Sequence, residues 1–321
     1  MEKRYFYHSF PRRWCNLSEE ISKGLDVLSA VAKYGLLLTP EYIEWKQPSV
    51  DGTSRVLPVM QQRVCFTDLA PSELLEHANK FGHFAIEYDA GILRSLGAIP
   101  VFYVPQPSSL SGDASAVGAG LVALVSDASA FINRASIICN LSEGSNPISE
   151  RIDLNLSYAR NPEGAGSYSL HYEESKKCIQ ALNQGMTPLN ILSQGMASVL
   201  SMFYPTDDTR HDRLLGYYQQ REWRIVAKFA VGGHELMFPL TNKQREELRH
   251  IDAEFFNGTV TTDVESFSRL DRTLFYPELN GRKIIQFAHR IIVPREVIAK
   301  TEDLLSLHSV KLPVACLEDI S

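Results

Sequence analysis

The feature that most constrains the fold is an alternation of residue character that begins at Glu222 and ends at Phe229. On one side of this alternation stand Trp223, Ile225, Ala227 and Phe229, and on the other stand Glu222, Arg224 and Lys228. A period of two with aromatic and β-branched residues predicts a β-strand. Glu222, at the first position and two residues after Gln220, is predicted to lie at a strand edge beside a loop, facing a cleft. The alternative is a solvated edge-strand glutamate paired with Arg224 or Lys228.

Similar patterns recur at short intervals along the chain, with short helices between them. A capping serine at Ser18 and apolar residues at helical spacing predict a helix that ends at Tyr34-Gly35. A strand over 62–68, a short helix from Pro71 and a strand over 84–89 follow. This succession predicts an α+β fold with a mixed or antiparallel sheet and flanking helices.

One segment differs from the rest in composition. From Gln106 to about residue 150 the chain is rich in Ser, Ala and Gly, and residues 113–142 fit one or two helices with small-residue faces. We interpret this segment as a helical insertion into a single domain that spans residues 1–321.

The composition bounds the class of protein. Of the 321 residues, 44% are hydrophobic and 22% charged, and the net charge of −6 argues against a surface that grips nucleic acid everywhere, while a local basic groove stays open. Five scattered cysteines without a C-x-x-C pair indicate reduced thiols, and neither a disulfide framework nor a zinc knuckle. No signal peptide is recognised, and the most apolar run, 117–125, is far shorter than the roughly 20 residues of a membrane span. We therefore expect a cytoplasmic protein with no membrane partner.

Familiar phosphate-loop, dinucleotide, nucleophile-elbow and zinc-protease motifs are missing, and the nine histidines form no metal-ligand pattern, so no metal is expected. Three separated strand motifs remain as carriers of chemistry. They are Tyr7-His8-Ser9, Cys65-Phe66-Thr67 and Gln220-Arg221-Glu222.

At these motifs the chain resembles a known family. The run from Val64 to Phe84 is similar to the central block of the AbiGi abortive-infection proteins of bacteria. The early Tyr-His-Ser and the late Glu-Trp-Arg resemble the motifs of the wider ADP-ribosyltransferase superfamily, which read His or Arg, then Ser, Thr or Tyr, then Glu. The resemblance implies an ADP-ribosyltransferase-like split sheet that clamps NAD as co-substrate.

The resemblance also implies roles for single residues. His8 would bind ribose hydroxyls of NAD, and the backbone at Ser9 would hold the nicotinamide amide. The Tyr88 ring would stack on the nicotinamide ring. The Thr67 hydroxyl would orient the carboxylate of Glu222, and Glu222 would stabilise the oxocarbenium ion, anchor the ribose 2′-hydroxyl or activate the nucleophile. Three plainer interpretations stay open: a strand-end histidine bonded to backbone, a Thr67 side chain that forms a turn to Asp68, and a core Tyr88.

Gln220 bears on the acceptor. In the transferase pattern, a glutamate two residues before the catalytic glutamate accompanies arginine acceptors, whereas a glutamine accompanies amides or nucleobases. An amide both donates to and accepts from a base edge or a side-chain amide. Basic and aromatic residues at the N-terminus fit phosphate contact and base stacking, or else solvated charge beside core aromatics. These residues are Lys3, Arg4, Arg12, Arg13, Tyr5, Phe6, Tyr7 and Trp14.

The expectation is therefore an NAD-dependent mono-ADP-ribosyltransferase, the toxin or effector of a bacterial anti-phage system, with an RNA, DNA or amide acceptor and a cognate antitoxin or neutralising protein as partner. Two alternatives stay open: a catalytically inactive antitoxin or binding subunit of such a system, and an NAD glycohydrolase with water as acceptor.

Overall fold

A computed structural model describes residues 4–11, 17–48, 54–105, 116–140, 151–156, 166–185, 188–206, 221–227, 230–231, 234–261 and 266–320. The chain forms two compact units. The first contains residues 1–44, 58–105 and 201–321, and the second contains residues 45–57 and 106–200.

The helices of the described residues are α1 (Leu17–Tyr34), α2 (Leu74–Phe81), α3 (Ala90–Ser95), α4 (Ala116–Asn140), α5 (Tyr172–Leu182), α6 (Leu189–Leu200), α7 (Asn242–Ile251), α8 (Ala253–Asn257), α9 (Arg269–Arg272) and α10 (Ile298–Leu307). The strands are β1 (Tyr5–Phe10), β2 (Leu36–Pro48), β3 (Ser54–Asp68), β4 (Phe84–Asp89), β5 (Ile99–Pro100), β6 (Phe102–Val104), β7 (Arg151–Leu156), β8 (Gly166–His171), β9 (Phe203–Pro205), β10 (Glu222–Val226), β11 (Ala230–Val231), β12 (His234–Glu235), β13 (Phe238–Pro239), β14 (Thr259–Thr261), β15 (Ser266–Ser268), β16 (Leu274–Tyr276), β17 (Glu278–Leu279), β18 (Arg282–Lys283), β19 (Arg290–Val293) and β20 (Val314–Cys316).

The main sheet runs in the order β13-β16-β2-β3-β1-β4-β19-β20, with β10 attached to β3 and β5 attached to β10. β1 is antiparallel to both β3 and β4, and β10 is antiparallel to β3, whereas β19 and β20 are parallel. The chain therefore has the mixed α+β fold, with a mixed and partly antiparallel sheet, that the sequence predicts.

Each face of the sheet buries a different set of residues. On one face Phe6, Phe66 and Tyr88 pack in the largest core, together with α1 through Leu28. On the other face Tyr7 and Ala85 pack with Leu74 and Ala78 of α2. Neighbouring strand residues point to opposite faces, so one segment such as Phe6-Tyr7 contributes to both cores.

The helix predicted to end at Tyr34-Gly35 is confirmed as α1. Gly35 has a φ of +104°, which side-chain-bearing residues rarely adopt, and a Cβ atom there would stand 2.1 Å from the carbonyl oxygen of Tyr276. A glycine is thus required where α1 turns into β2.

In the second unit, the 25-residue helix α4 packs against α6 and α5, and β7 pairs with β8 as an antiparallel hairpin. The segment 106–150, predicted as a helical insertion, lies in this unit, which continues to residue 200.

Candidate active site

The candidate site lies where β1 and β10 flank β3. Thr67 pairs with Tyr7 of β1 and also with Glu222 of β10, so it is bonded along both edges of its strand. Pairing of β1 with β3 stops at this point, whereas β1 continues beside β4 as far as Phe10. The sheet therefore opens between β1 and β3 next to Thr67.

Cross-strand partners in antiparallel strands carry their side chains on the same face. The registers Arg290↔Glu87, Tyr7↔Glu87, Tyr7↔Thr67 and Glu222↔Thr67 join five strands into one row of polar residues. Glu87 is fully buried and accepts bonds from Arg290 Nε (3.1 Å) and Nη2 (2.9 Å). Two carboxylates with two hydroxyl groups between them thus share this face.

The carboxylate of Glu222 is buried, with 6% of the residue exposed, and it is held by Arg224. Arg224 Nε donates to Glu222 Oε1 (2.7 Å) and Nη2 donates to Oε2 (3.4 Å). The two side chains meet because residues two apart in a strand face the same side. Arg224 Nη1 donates further to Gln61 Oε1 and to the carbonyl of Ser201, both at 3.1 Å.

A second guanidinium completes what we call the buried charge cluster, namely Glu41, Arg63, Tyr204, Glu222 and Arg224. Arg63 pairs with Glu41. The guanidinium carbons of Arg63 and Arg224 lie 5.1 and 4.7 Å from the centre of the Tyr204 ring. The cluster therefore matches two buried cations with two carboxylates, as isolated buried charges would be strongly unfavourable.

These neighbours decide the protonation state of Glu222. Burial by itself would raise the pKa of this carboxyl group. The charges of Arg224 and Arg63, with hydrogen bonds from Arg224 and Cys65, outweigh that effect and hold the pKa below its usual range. Glu222 is therefore ionised at neutral pH. Burial and the nearby negative charge of Glu222 raise the pKa of Tyr103, whose ring lies close by.

The sequence prediction places Glu222 at a strand edge, and the structure corrects this. β10 lies between β3 and β5, with Trp223 and Arg224 paired to Pro100 and Ile99. The main-chain carbonyl of Glu222 also accepts a bond from Val101 N (3.0 Å). Arg224 is the partner that the alternative interpretation named, but the pair is buried and not solvated.

The structure brings Thr67 together with Glu222 but does not bring His8 to them. The His8 ring lies on the opposite face of the sheet, 5.7 Å from the rings of both Phe10 and Phe66. Its Nδ1 donates to the carbonyl of Cys65 (2.9 Å). His8 thus bonds to backbone where β1 and β3 separate, in agreement with the plainer interpretation of this residue.

The remaining predicted residues are distributed as follows. Tyr88 is fully buried on the His8 face, and its ring meets Phe66 edge to face at 5.6 Å. Ser9 shares the face of Tyr7 by alternation, and its hydroxyl is buried without a hydrogen-bond partner among the described residues. Gln220 lies outside the described residues, as do Arg12 and Arg13.

The residue before Glu222 has an unusual backbone. Arg221 has a φ of +46°. This left-handed conformation is unfavourable for any residue other than glycine, because the Cβ atom comes too close to the backbone. Its guanidinium donates to Glu73 Oε2 (2.7 Å), and its carbonyl accepts from Asp68 N (3.4 Å). Backbone strain of this kind is often found at functional sites. Here it lies directly beside the candidate carboxylate.

Sequence reasoning did not identify Glu41, Gln61, Arg63 or Tyr204 as site residues. A signal for one of them is present in β3, where Arg63, Cys65 and Thr67 alternate with the apolar Val64 and Phe66, while Gln61 continues the same series beyond the polar Gln62. A polar period-two series inside a buried strand indicates a polar face that needs charged partners. Glu41 and Tyr204 enter only through tertiary contact.

Searches of protein-family models, of curated proteins and of solved structures find no match for this chain. Among the described residues, no group of three or more His, Cys, Asp or Glu side chains is arranged to hold a metal ion. Nor does any described helix have the length and apolar character needed to cross a membrane.

Proposed function

We propose that this chain is an NAD-dependent mono-ADP-ribosyltransferase that acts as the toxin of a bacterial anti-phage system, with Glu222 as its catalytic carboxylate. The observation that carries the proposal is the direct pairing of Glu222 with Thr67 where the sheet opens between β1 and β3. Such an opening is what the resemblance to ADP-ribosyltransferases implies for their split sheet.

In the proposed reaction the bond between ribose C1′ and the nicotinamide nitrogen of NAD breaks, and nicotinamide leaves with the electron pair. Positive charge develops on the ribose, and the ionised Glu222 opposes it. A lone pair of the acceptor then bonds to C1′, and the acceptor loses a proton to solvent or to a nearby base. Thr67 would orient the carboxylate through its hydroxyl.

Of the residues predicted to contact NAD, the proposal keeps Ser9 and leaves out His8 and Tyr88. The His8 and Tyr88 rings face the core on the side of the sheet opposite Glu222. We therefore do not assign them to NAD. Ser9 stays in the proposal because it shares the face of Tyr7, and Gln220 stays as the residue that recognises an amide or nucleobase acceptor.

A second candidate function is an inactive antitoxin or binding subunit. The observation that favours it is the engagement of both Glu222 oxygens by Arg224 in a buried environment. A carboxylate neutralised in this way offers less negative charge to a developing oxocarbenium ion. In this alternative the cluster stabilises the fold and has no chemical role.

Expression in bacteria separates the two candidates. We expect the parent chain to stop growth and Glu222→Gln to permit it, with Glu76→Gln as a matched control, since Glu76 is an exposed glutamate on α2. Circular dichroism must show that Glu222→Gln is folded, because the change removes one charge from a buried pair. Normal growth with the parent chain would favour the inactive subunit.

Labelled NAD incubated with the purified chain and a cell lysate then identifies the acceptor. Label in the RNA or DNA fraction supports a nucleic-acid acceptor, and label in protein supports a side-chain acceptor. Release of nicotinamide without labelled macromolecule would mean that the chain is an NAD glycohydrolase.

A further inference from the structure

Helix α4 in the second unit exposes a line of large apolar side chains. Leu121, Leu124 and Phe131 are 52%, 67% and 73% exposed, and the half-buried Ala128 completes the spacing of three and four residues. This spacing places all four on one side of the helix. Val122, on the opposite side, is fully buried. We call these four residues the α4 stripe.

The charges of α4 lie along one flank of the stripe. Asp127 and Arg134 are the only charged residues among the 25 of this helix, and both are exposed. Each directly precedes a position of the three-and-four pattern, the half-buried Ala128 and the buried Ala135, so they occupy equivalent places one heptad apart. Seven residues span about 10 Å along a helix, so the two cannot pair with each other within one copy. Neither forms an ion pair within the described part of the chain.

A glycine on the same side supports close approach by another helix. Gly120 lies one turn before Leu124, inside α4, where glycine is unfavourable relative to alanine. Among the described residues, a Cβ atom placed on Gly120 would meet no atom within 4 Å. Packing within the described part of the chain therefore gives no reason for the missing side chain, whereas a second helix packed along the stripe would.

We propose that the α4 stripe is a self-association surface on which a second copy of this chain packs its own α4 in antiparallel orientation. A two-fold axis near Ala130 brings Asp127 of each copy beside Arg134 of the other, which gives two identical ion pairs. It also packs Leu124, Ala128 and Phe131 of both helices between them. A parallel pair would instead set Asp127 against the apolar Ile132 and Arg134 against Cys139, so charge complementarity selects the antiparallel arrangement.

Sedimentation velocity on the full chain over a concentration series tests this. The parent should be a dimer in reversible equilibrium with monomer, and Phe131→Asp should be monomeric. D127R and R134D should each raise the dissociation constant about tenfold at low salt, because both ion pairs become repulsive. The double variant D127R/R134D restores opposite charges across the axis and should return the constant to near the parent value.

Three results would overturn the proposal. The first is a parent chain that stays monomeric at its highest soluble concentration, which would leave the stripe to a different partner. The second is a Phe131→Asp variant that still dimerises while its circular dichroism spectrum matches the parent. The third is a double charge swap that is no better than the single variants. None of these readouts requires NAD or enzymatic activity.

Discussion

The buried charge cluster and the α4 stripe depart in opposite ways from the usual partition of residues. In the first unit, two charged residues of β10 are removed from water: Arg224 is fully buried and only 6% of Glu222 is exposed. In the second unit, Leu124 and Phe131 are largely exposed on a helix. Because buried charges and exposed large apolar groups are both unfavourable by default, each region needs a compensating partner. In the cluster, the carboxylates and the guanidinium groups of the same chain compensate each other. For the stripe, the proposed partner is the α4 helix of a second copy of the chain.

The largest effect is expected from removing one cation of the cluster. Arg224→Met should lower the free energy of unfolding by about 3–5 kcal/mol, because Glu222 is left buried without its closest counter-charge. Arg245→Met is the matched control, since the Arg245–Asp271 pair is partly exposed and should contribute about 1 kcal/mol or less. Urea unfolding at neutral pH measures both. Equal losses for the two variants would show that burial gives the Arg224 pair no special weight.

Acid titration tests the contribution of the buried charge cluster to stability. The folded-state pKa of Glu222 is lowered, so the stability that its ionised form contributes is fully present above the ordinary glutamate value of about 4.3. That contribution is lost as the pH falls through the lowered folded pKa. The parent should thus lose stability below about pH 4 to a greater extent than Glu222→Gln. Urea midpoints of both proteins across the acid range test this, and a loss already present near neutral pH would contradict the lowered pKa.

The smallest effect is expected at the stripe. Phe131→Ala should change the free energy of unfolding of the monomer by less than about 0.5 kcal/mol, because most of its ring is already in water. Phe66→Ala, in the core of the sheet, should cost about 3–5 kcal/mol. Both are measured at concentrations low enough to dissociate a dimer. A large loss for Phe131→Ala would mean that its ring is buried in a single chain.

The sequence predicts local structure well where a pattern repeats. The alternation from Glu222 correctly separates Trp223 and Ile225 from Glu222 and Arg224, because each strand residue is confined to one face. The prediction of α1 succeeds along its length and at its end, because its period and Gly35 agree. Its start is wrong: Ser18, predicted as the cap, lies inside the helix, which begins at Leu17. Local pattern does not reveal which strand lies beside β10, so Glu222 was predicted at an edge although β5 covers it.

The site is predicted only in part for the same reason. Thr67 and Glu222 lie opposite each other because β3 pairs with β10. The family resemblance implies that these two motifs come together. His8 follows Tyr7 directly in β1, and neighbouring residues of a strand point to opposite faces of the sheet. The His8 side chain therefore lies on the face opposite Thr67 and Glu222. The partners Glu41 and Tyr204 come from distant segments, and no spacing in the sequence links them to Glu222.

The central claim is that the ionised carboxylate of Glu222 drives cleavage of NAD. The most direct test is the rate of nicotinamide release by the purified parent and by Glu222→Gln, each shown to be folded at the assay temperature. The account predicts measurable release by the parent and a loss on the order of 100- to 1,000-fold in kcat for the variant. A folded Glu222→Gln variant with the rate of the parent, or a parent that releases no nicotinamide with any acceptor fraction present, would contradict it.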